Sequence, residues 1–173
     1  MGSTTSDVSA AFIELSRERL MDEWWPRLRQ TVESLSEAQV WWRPNEASNS
    51  IGNLILHLNG NVRQWLLTSF SHADDARNRP AEFAERQALP VGPLVEALDA
   101  TLREVSVALS GLTDADLLRP IHVQGYTVTG LQAVYHVVEH FGMHYGQVLY
   151  IAKLVRGESL GFYRELDETG PAS

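Results

Sequence analysis

The stretch Thr129–Arg156, TGLQAVYHVVEHFGMHYGQVLYIAKLVR, decides the fold. Its apolar residues recur at three- and four-residue steps, the period of a helix with one buried face. Thr129 with Gln132 three residues later has the form of a capping box. Gly157, following Lys153 and Arg156, supplies the stop. One long helix is therefore marked at both ends. At about 100° per residue, His136, His140 and His144 each fall about 40° from the next, and Gln147 continues the same stripe.

Side chains four residues apart on a helix lie about 5–6 Å from one another, so two imidazoles at that spacing can share a metal ion at about 2.0–2.1 Å. The third cannot join them, because eight residues of helix rise about 12 Å. A further ligand must come from elsewhere in the chain. Any one of these histidines alone fits a solvated face or a core position satisfied by a carbonyl; three on one stripe fit a metal site better.

Composition limits the possibilities. At 173 residues and 44% hydrophobic content, the chain suits a single domain, 1–173, with a sizeable core. A formal charge of -8 and the lack of any basic run argue against a nucleic-acid partner. No apolar run approaches the ~18 residues of a membrane span, and no leader pattern is visible, so a soluble cytoplasmic protein with no membrane partner is expected. Residues 1–6 and 159–173 read as tails. With no cysteine, any metal must sit on nitrogen and oxygen, and any thiol chemistry must use a thiol from outside.

In chain order, residues 8–35 carry Phe12, Leu15, Leu20, Trp24, Leu28 and Val32 at helical steps, with Pro26 predicting a bend near Trp24–Trp25. Ser36 and Gln39 cap a short extra helix ending at Pro44, and Trp41 and Trp42 are expected to cover one end of the core. A second long helix over 49–70 is apolar around most of its circumference. It carries a narrow polar stripe, Ser50, Asn53, His57, Asn61 and Gln64, all within about 40° of His57. Leucines flank that stripe on both sides, which predicts an inward polar line and makes His57 the natural third ligand. Residues 71–90 read as a charged surface connection without much core, with a solvated His72. A third helix runs from about Pro93 to Gly111, and a short turn covers Thr113–Leu118. PIHVQGYTV, 120–128, alternates as an extended segment or hairpin around Gly125, with a structural His122. The prediction is an all-α four-helix bundle with a short extra helix and a short hairpin before the last helix.

Three segments carry a family resemblance: WWRPNEASNSIGNLILHLNGNVRQW from Trp41, RNRPAEF from Arg77, and EHFGMHYGQVLYIAKLV from Glu139. In this order they resemble the DinB-like (YfiT-type) superfamily of metal-binding four-helix bundles. The resemblance implies that His57 from the second helix and the H-x-x-x-H pair His140 and His144 from the last hold a divalent metal, with His136 a neighbour. It further implies small-molecule chemistry, in which thiol-dependent transferases and metal-dependent hydrolases both occur, and a homodimer. An open site of three imidazoles can lower the pKa of coordinated water or bind a thiol as thiolate. Thiol-dependent transfer to a small electrophile is the favoured expectation, a low-molecular-weight thiol being the co-substrate. A hydrolase and a non-enzymatic bundle, metal-stabilised or metal-sensing, are the alternatives. Asn61 and Gln147 are candidates to orient ligands or substrate, and Glu139, about 100° off the stripe, to act as base. Zinc or nickel is the expected metal, with iron, cobalt and copper also suited to such ligands.

Overall fold

The computed structural model describes residues 6–71 and 73–162. Expectations for residues 1–5, His72 and 163–173 lie outside the described residues. Among these residues the architecture is all-α, built from long helical rods with one two-stranded hairpin. The first rod is α1 (Asp7–Arg17) and α2 (Trp25–Glu33), joined by π-helical turns over Glu18–Trp24. The helical irregularity on this rod thus lies just ahead of Pro26, as π-helical turns. Pro26 sits in the first turn of α2, where its missing N–H leaves no bond unmade. Ser6 is no part of a tail: its side chain accepts from Ser9 N and caps α1.

After the short capped α3 (Glu37–Val40) comes the central rod: α4 (Ile51–Val62), π-helical turns over Arg63–Leu67, and α5 (Thr68–Ser71). Ile51, Leu54, Ile55, Leu58 and Val62 are all buried, and α4 packs on α6, α7 and α9 together. A helix apolar on most sides has to be surrounded, which is why it is central. Trp41 seals one end, its Nε1 donating to Leu89 O at 2.9 Å, whereas Trp42 is 39% exposed and does not join the core.

Residues 71–90 contain more structure than their charge suggested. Asn78 caps a helix, α6 (Arg79–Ala84), with Pro80 in its first turn, and α6 lies against α4. Then follow α7 (Val91–Ser110) and α8 (Asp114–Leu118); the latter, begun by a Thr113–Asp116 capping box, replaces the expected simple turn. Strands β1 (Pro120–Val123) and β2 (Tyr126–Thr129) pair antiparallel with Val123 opposite Tyr126. Gln124 and Gly125 both have positive φ, 51° and 79°, as the two-residue hairpin turn demands.

The last rod, α9 (Gly130–Arg156), has both of the end signals read from the sequence: the Thr129–Gln132 capping box and a left-handed Gly157. Val134, Val137, Phe141 and Val148 face the core, and Trp24 stacks on Phe141 at 6.3 Å. No described helix is long and apolar enough to cross a membrane.

Gly130 permits the close approach of α8 to the start of α9. A Cβ there would sit 3.0 Å from the Asp116 carbonyl carbon and closer still to its oxygen. Gly130→Ala is expected to destabilise the protein by about 1–3 kcal/mol in urea unfolding, since backbone must move. Gly92→Ala, in the open first turn of α7, has nothing within 4 Å and is expected to be neutral or to gain up to about 1 kcal/mol.

Candidate metal centre

The polar stripe of α4 points inward. Ser50, Asn53, His57 and Asn61 are all at most 3% exposed, and each has a different task. Ser50 and Asn53 form the capping box of α4, and Asn53 Nδ2 also donates to the carbonyls of Glu82 (2.9 Å) and Glu85 (3.1 Å), clamping α6 in place. Further along, Gln64 binds Arg77, Asp75 and Gln124, tying the hairpin tip to the 73–78 segment.

His57 projects between these clamps towards α9. Its Nε2 lies 3.1 Å from His140 Nε2, which in turn lies 3.1 Å from His144 Nε2. These three residues together could hold a metal ion. Two of the rings are held in one tautomer by their other nitrogen. His57 Nδ1 is 2.8 Å from a Glu82 carboxylate oxygen and His144 Nδ1 is 2.7 Å from Gln147 Oε1. A hydrogen donated at each Nδ1 leaves the Nε2 lone pairs of His57 and His144 turned towards His140 Nε2. Imidazole nitrogens around a tetrahedral ion at about 2.05 Å stand roughly 3.3 Å apart, so the donor set fits a divalent ion. His140 Nδ1 is buried without a partner.

Glu82 and Arg77 are the functional residues that the sequence reading missed. Arg77 Nε and Nη2 donate to the two Glu82 oxygens at 2.7 and 2.9 Å, a bidentate pair. Arg77 Nη2 also comes within 3.1 Å of His57 Nδ1, but the nearer carboxylate is the better partner for that nitrogen. Burial raises the Glu82 pKa, yet the hydrogen bonds and charges of Arg77 and His57 outweigh it and hold the carboxyl below its usual range. Gly60 makes room for this pair: a Cβ there would sit 2.9 Å from Arg77 Nε and closer to Glu82 Oε1. The available signal was the N-x-P helix start at Asn78–Pro80, which turns a charged linker into a helix carrying one inward carboxylate.

A cavity of about 460 Å³ opens beside His57 and His140, walled by Asn61, Trp65, Arg77, Gln132, His136 and the hairpin residues Gln124, Tyr126 and Val128. Asn61 lines it with its Oδ1 unpartnered. His136 is not brought into the triad; its ring lies on Trp65 with centroids 4.0 Å apart. Trp65 belongs to the π-helical segment. Gln147 touches His144 rather than the cavity, and Glu139 is exposed on the outer side of α9, away from the cluster. His122 is exposed and spans the hairpin to Thr127 Oγ1, a structural role.

The fold and this cluster define a helical bundle with three histidines that could hold a metal ion. The chain belongs to the family described as "Protein of unknown function (DUF1572)", whose model matches residues 7–163. No curated protein matches it. Among solved structures it is similar to a conserved protein from Enterococcus faecalis, with 20% identity, TM-score 0.68, and 84% of this chain and 97% of that one covered. It is also similar to a DinB-like protein from Bacillus cereus, with 13% identity, TM-score 0.59, and 79% and 88% covered. At these identities the likeness is one of fold.

Burial pushes His140 down to about 3, helped by its like-charged neighbours His144 and His57. His144 is also lowered, by burial against the opposing Gln147 hydrogen bond. Both groups are depressed bases, so below the ordinary value of 6.5 the unfolded chain takes up protons that the folded chain does not. Stability of chelator-treated protein is therefore expected to be full above pH 6.5 and to fall steadily towards pH 3. The urea midpoint measured at pH 7 and pH 5 checks this, and His140→Leu should flatten the dependence.

Proposed function

We propose that the protein binds a divalent metal ion through Nε2 of His57, His140 and His144 and uses it to activate a small nucleophile towards an electrophilic small molecule. The observation that carries this is the convergence of three imidazole Nε2 atoms, two of them, on His57 and His144, directed by Glu82 and Gln147, at the edge of a cavity of about 460 Å³. A bound divalent ion with a free position supplies Lewis-acid activation of whichever nucleophile binds there. Zinc or nickel is the ion we favour for the all-nitrogen set, which iron, cobalt and copper also suit.

A small thiol is the nucleophile we favour. The chain has no cysteine to compete for the ion. Arg77, Arg79, Gln124 and Gln132 at the wall give the cavity a cationic and amide-rich lining, which complements the carboxylates and amides of low-molecular-weight thiols. In this reading Asn61 holds a polar group of the substrate, Trp65 and Tyr126 cover its apolar part, and Glu82 and Gln147 position ligands without touching substrate. A second reading, hydrolysis, draws on His136: an imidazole at the same wall that is outside the triad can accept a proton from water.

Elemental analysis of untagged protein is expected to find about one metal per chain, lost in His57→Ala and His140→Ala and kept in His136→Ala. Metal retained in the first two, or lost only in the third, would remove the site. Glu82→Gln should keep the fold and weaken metal affinity about 10–100-fold, read by competition with a chelating dye. Loaded protein should then consume an electrophile only when a thiol is added. Turnover without thiol selects hydrolysis. If chelation lowers the melting temperature while both assays stay silent, the metal is structural.

A further inference from the structure

An imidazole that turns its Nε2 lone pair to an ion carries its proton on Nδ1, and a buried N–H needs an acceptor. Glu82 supplies one for His57 and Gln147 for His144. His140 differs: its Nδ1 is buried and makes no hydrogen bond among the described residues. A buried donor in that state is costly, and in native cores such groups nearly always find a partner.

The packing of α4 against α9 shows where that partner stands. His57 meets His144 and His140, with ring centroids 5.0 and 4.9 Å apart, and Trp65 meets His136 at 4.0 Å. Across the site, residue numbers therefore rise along α4 as they fall along α9. Asn61 is four residues from His57 and four from Trp65, which brings it to the turn of α9 between His140 and His136. Asn61 and His140 line the same cavity. Asn61 is also buried, and its Oδ1 makes no hydrogen bond among the described residues. Of the other polar side chains at this wall, Trp65 and Arg77 offer donors alone. Gln132 spends its oxygen on the Thr129 N–H at 2.8 Å, and Gln124 and Tyr126 are exposed on the hairpin. An orphaned donor and an orphaned acceptor thus stand on facing turns.

We propose that Asn61 is the positioning residue of His140: in the metal-loaded protein its Oδ1 accepts the His140 Nδ1–H, directly or through one water, and fixes the third imidazole as Glu82 and Gln147 fix the other two. This role rests on the metal centre proposed above and completes it. All three ligands then turn an Nε2 lone pair to the ion. The other end of the Asn61 amide, Nδ2, stays available to a substrate in the cavity.

Asn61→Leu keeps the size of the side chain and removes the acceptor, whereas Asn61→Asp keeps an acceptor. Zinc affinity, read by competition with a chelating dye, should fall about 10–100-fold in Asn61→Leu and match or exceed wild type in Asn61→Asp. The urea midpoint of metal-free Asn61→Leu should match or exceed wild type, since leucine removes an orphaned acceptor from the core. A side chain with a merely structural role does not lose affinity while keeping stability. In zinc-loaded protein carrying isotope-labelled histidine, NMR should find the His140 Nδ1–H protected from exchange in wild type and unprotected in Asn61→Leu, with the Nδ1–H signals of His57 and His144 retained in both. Wild-type affinity in Asn61→Leu, equal losses in the two variants, or an unchanged His140 signal overturns the role and leaves the centre standing, because Glu82→Gln still weakens it. A wild type that takes up no zinc removes the centre and this role together.

Discussion

The hydrogen bond between Glu82 and His57 is the contact on which the site depends. A carboxylate, a guanidinium and three imidazoles lie inside a helical core, where an unpartnered charge is costly. Arg77 and Glu82 satisfy this by pairing bidentately, and the remaining acceptor capacity of Glu82 falls on His57 Nδ1. The fixed tautomer that results turns a buried histidine into an open donor. Gln147 does the same for His144 from the solvent side. Without these two partners the cluster would be three imidazoles with undirected protons. With them, His57 and His144 both turn an Nε2 lone pair towards His140 Nε2.

The bundle is arranged to keep that geometry. Asn53 holds α6 by two carbonyls, Gly60 lets the Arg77–Glu82 pair approach α4, and Phe83 packs on the His57 ring with centroids 4.6 Å apart. Trp65, in the π-helical turns after α4, lies on His136, which gives the cavity an aromatic wall next to the triad. Gln64 ties the hairpin tip to the same network through Gln124. Scaffold and site therefore share residues, and the polar line through the core contributes specificity to both.

Much of this was legible from local pattern. The period, capping box and left-handed glycine of α9, the central apolar α4 with its inward polar stripe, and the hairpin around Gly125 are all properties of residues close in sequence, and such interactions can be read without the fold. The spacing argument that two of the three α9 histidines can share an ion while the third cannot is of the same kind, since helix rise alone sets it; that the pair is His140 and His144 was implied by the family resemblance. Residues 77–85 were misread because a charged stretch looks solvated until its charges are matched, and the partners of Arg77 and Glu82 are each other and a histidine 25 residues from Glu82.

The sequence by itself determined the helices, their ends, and which faces carry imidazole, because those follow from backbone geometry and side-chain period. Only the tertiary structure decided that Glu82 and Gln147 fix the tautomers, that Asn61 meets the cavity while Glu139 faces outward, and that His136 stacks on Trp65. These are contacts between elements. Their existence depends on how the rods pack, a matter of shape and charge complementarity over long sequence separation that no local period encodes.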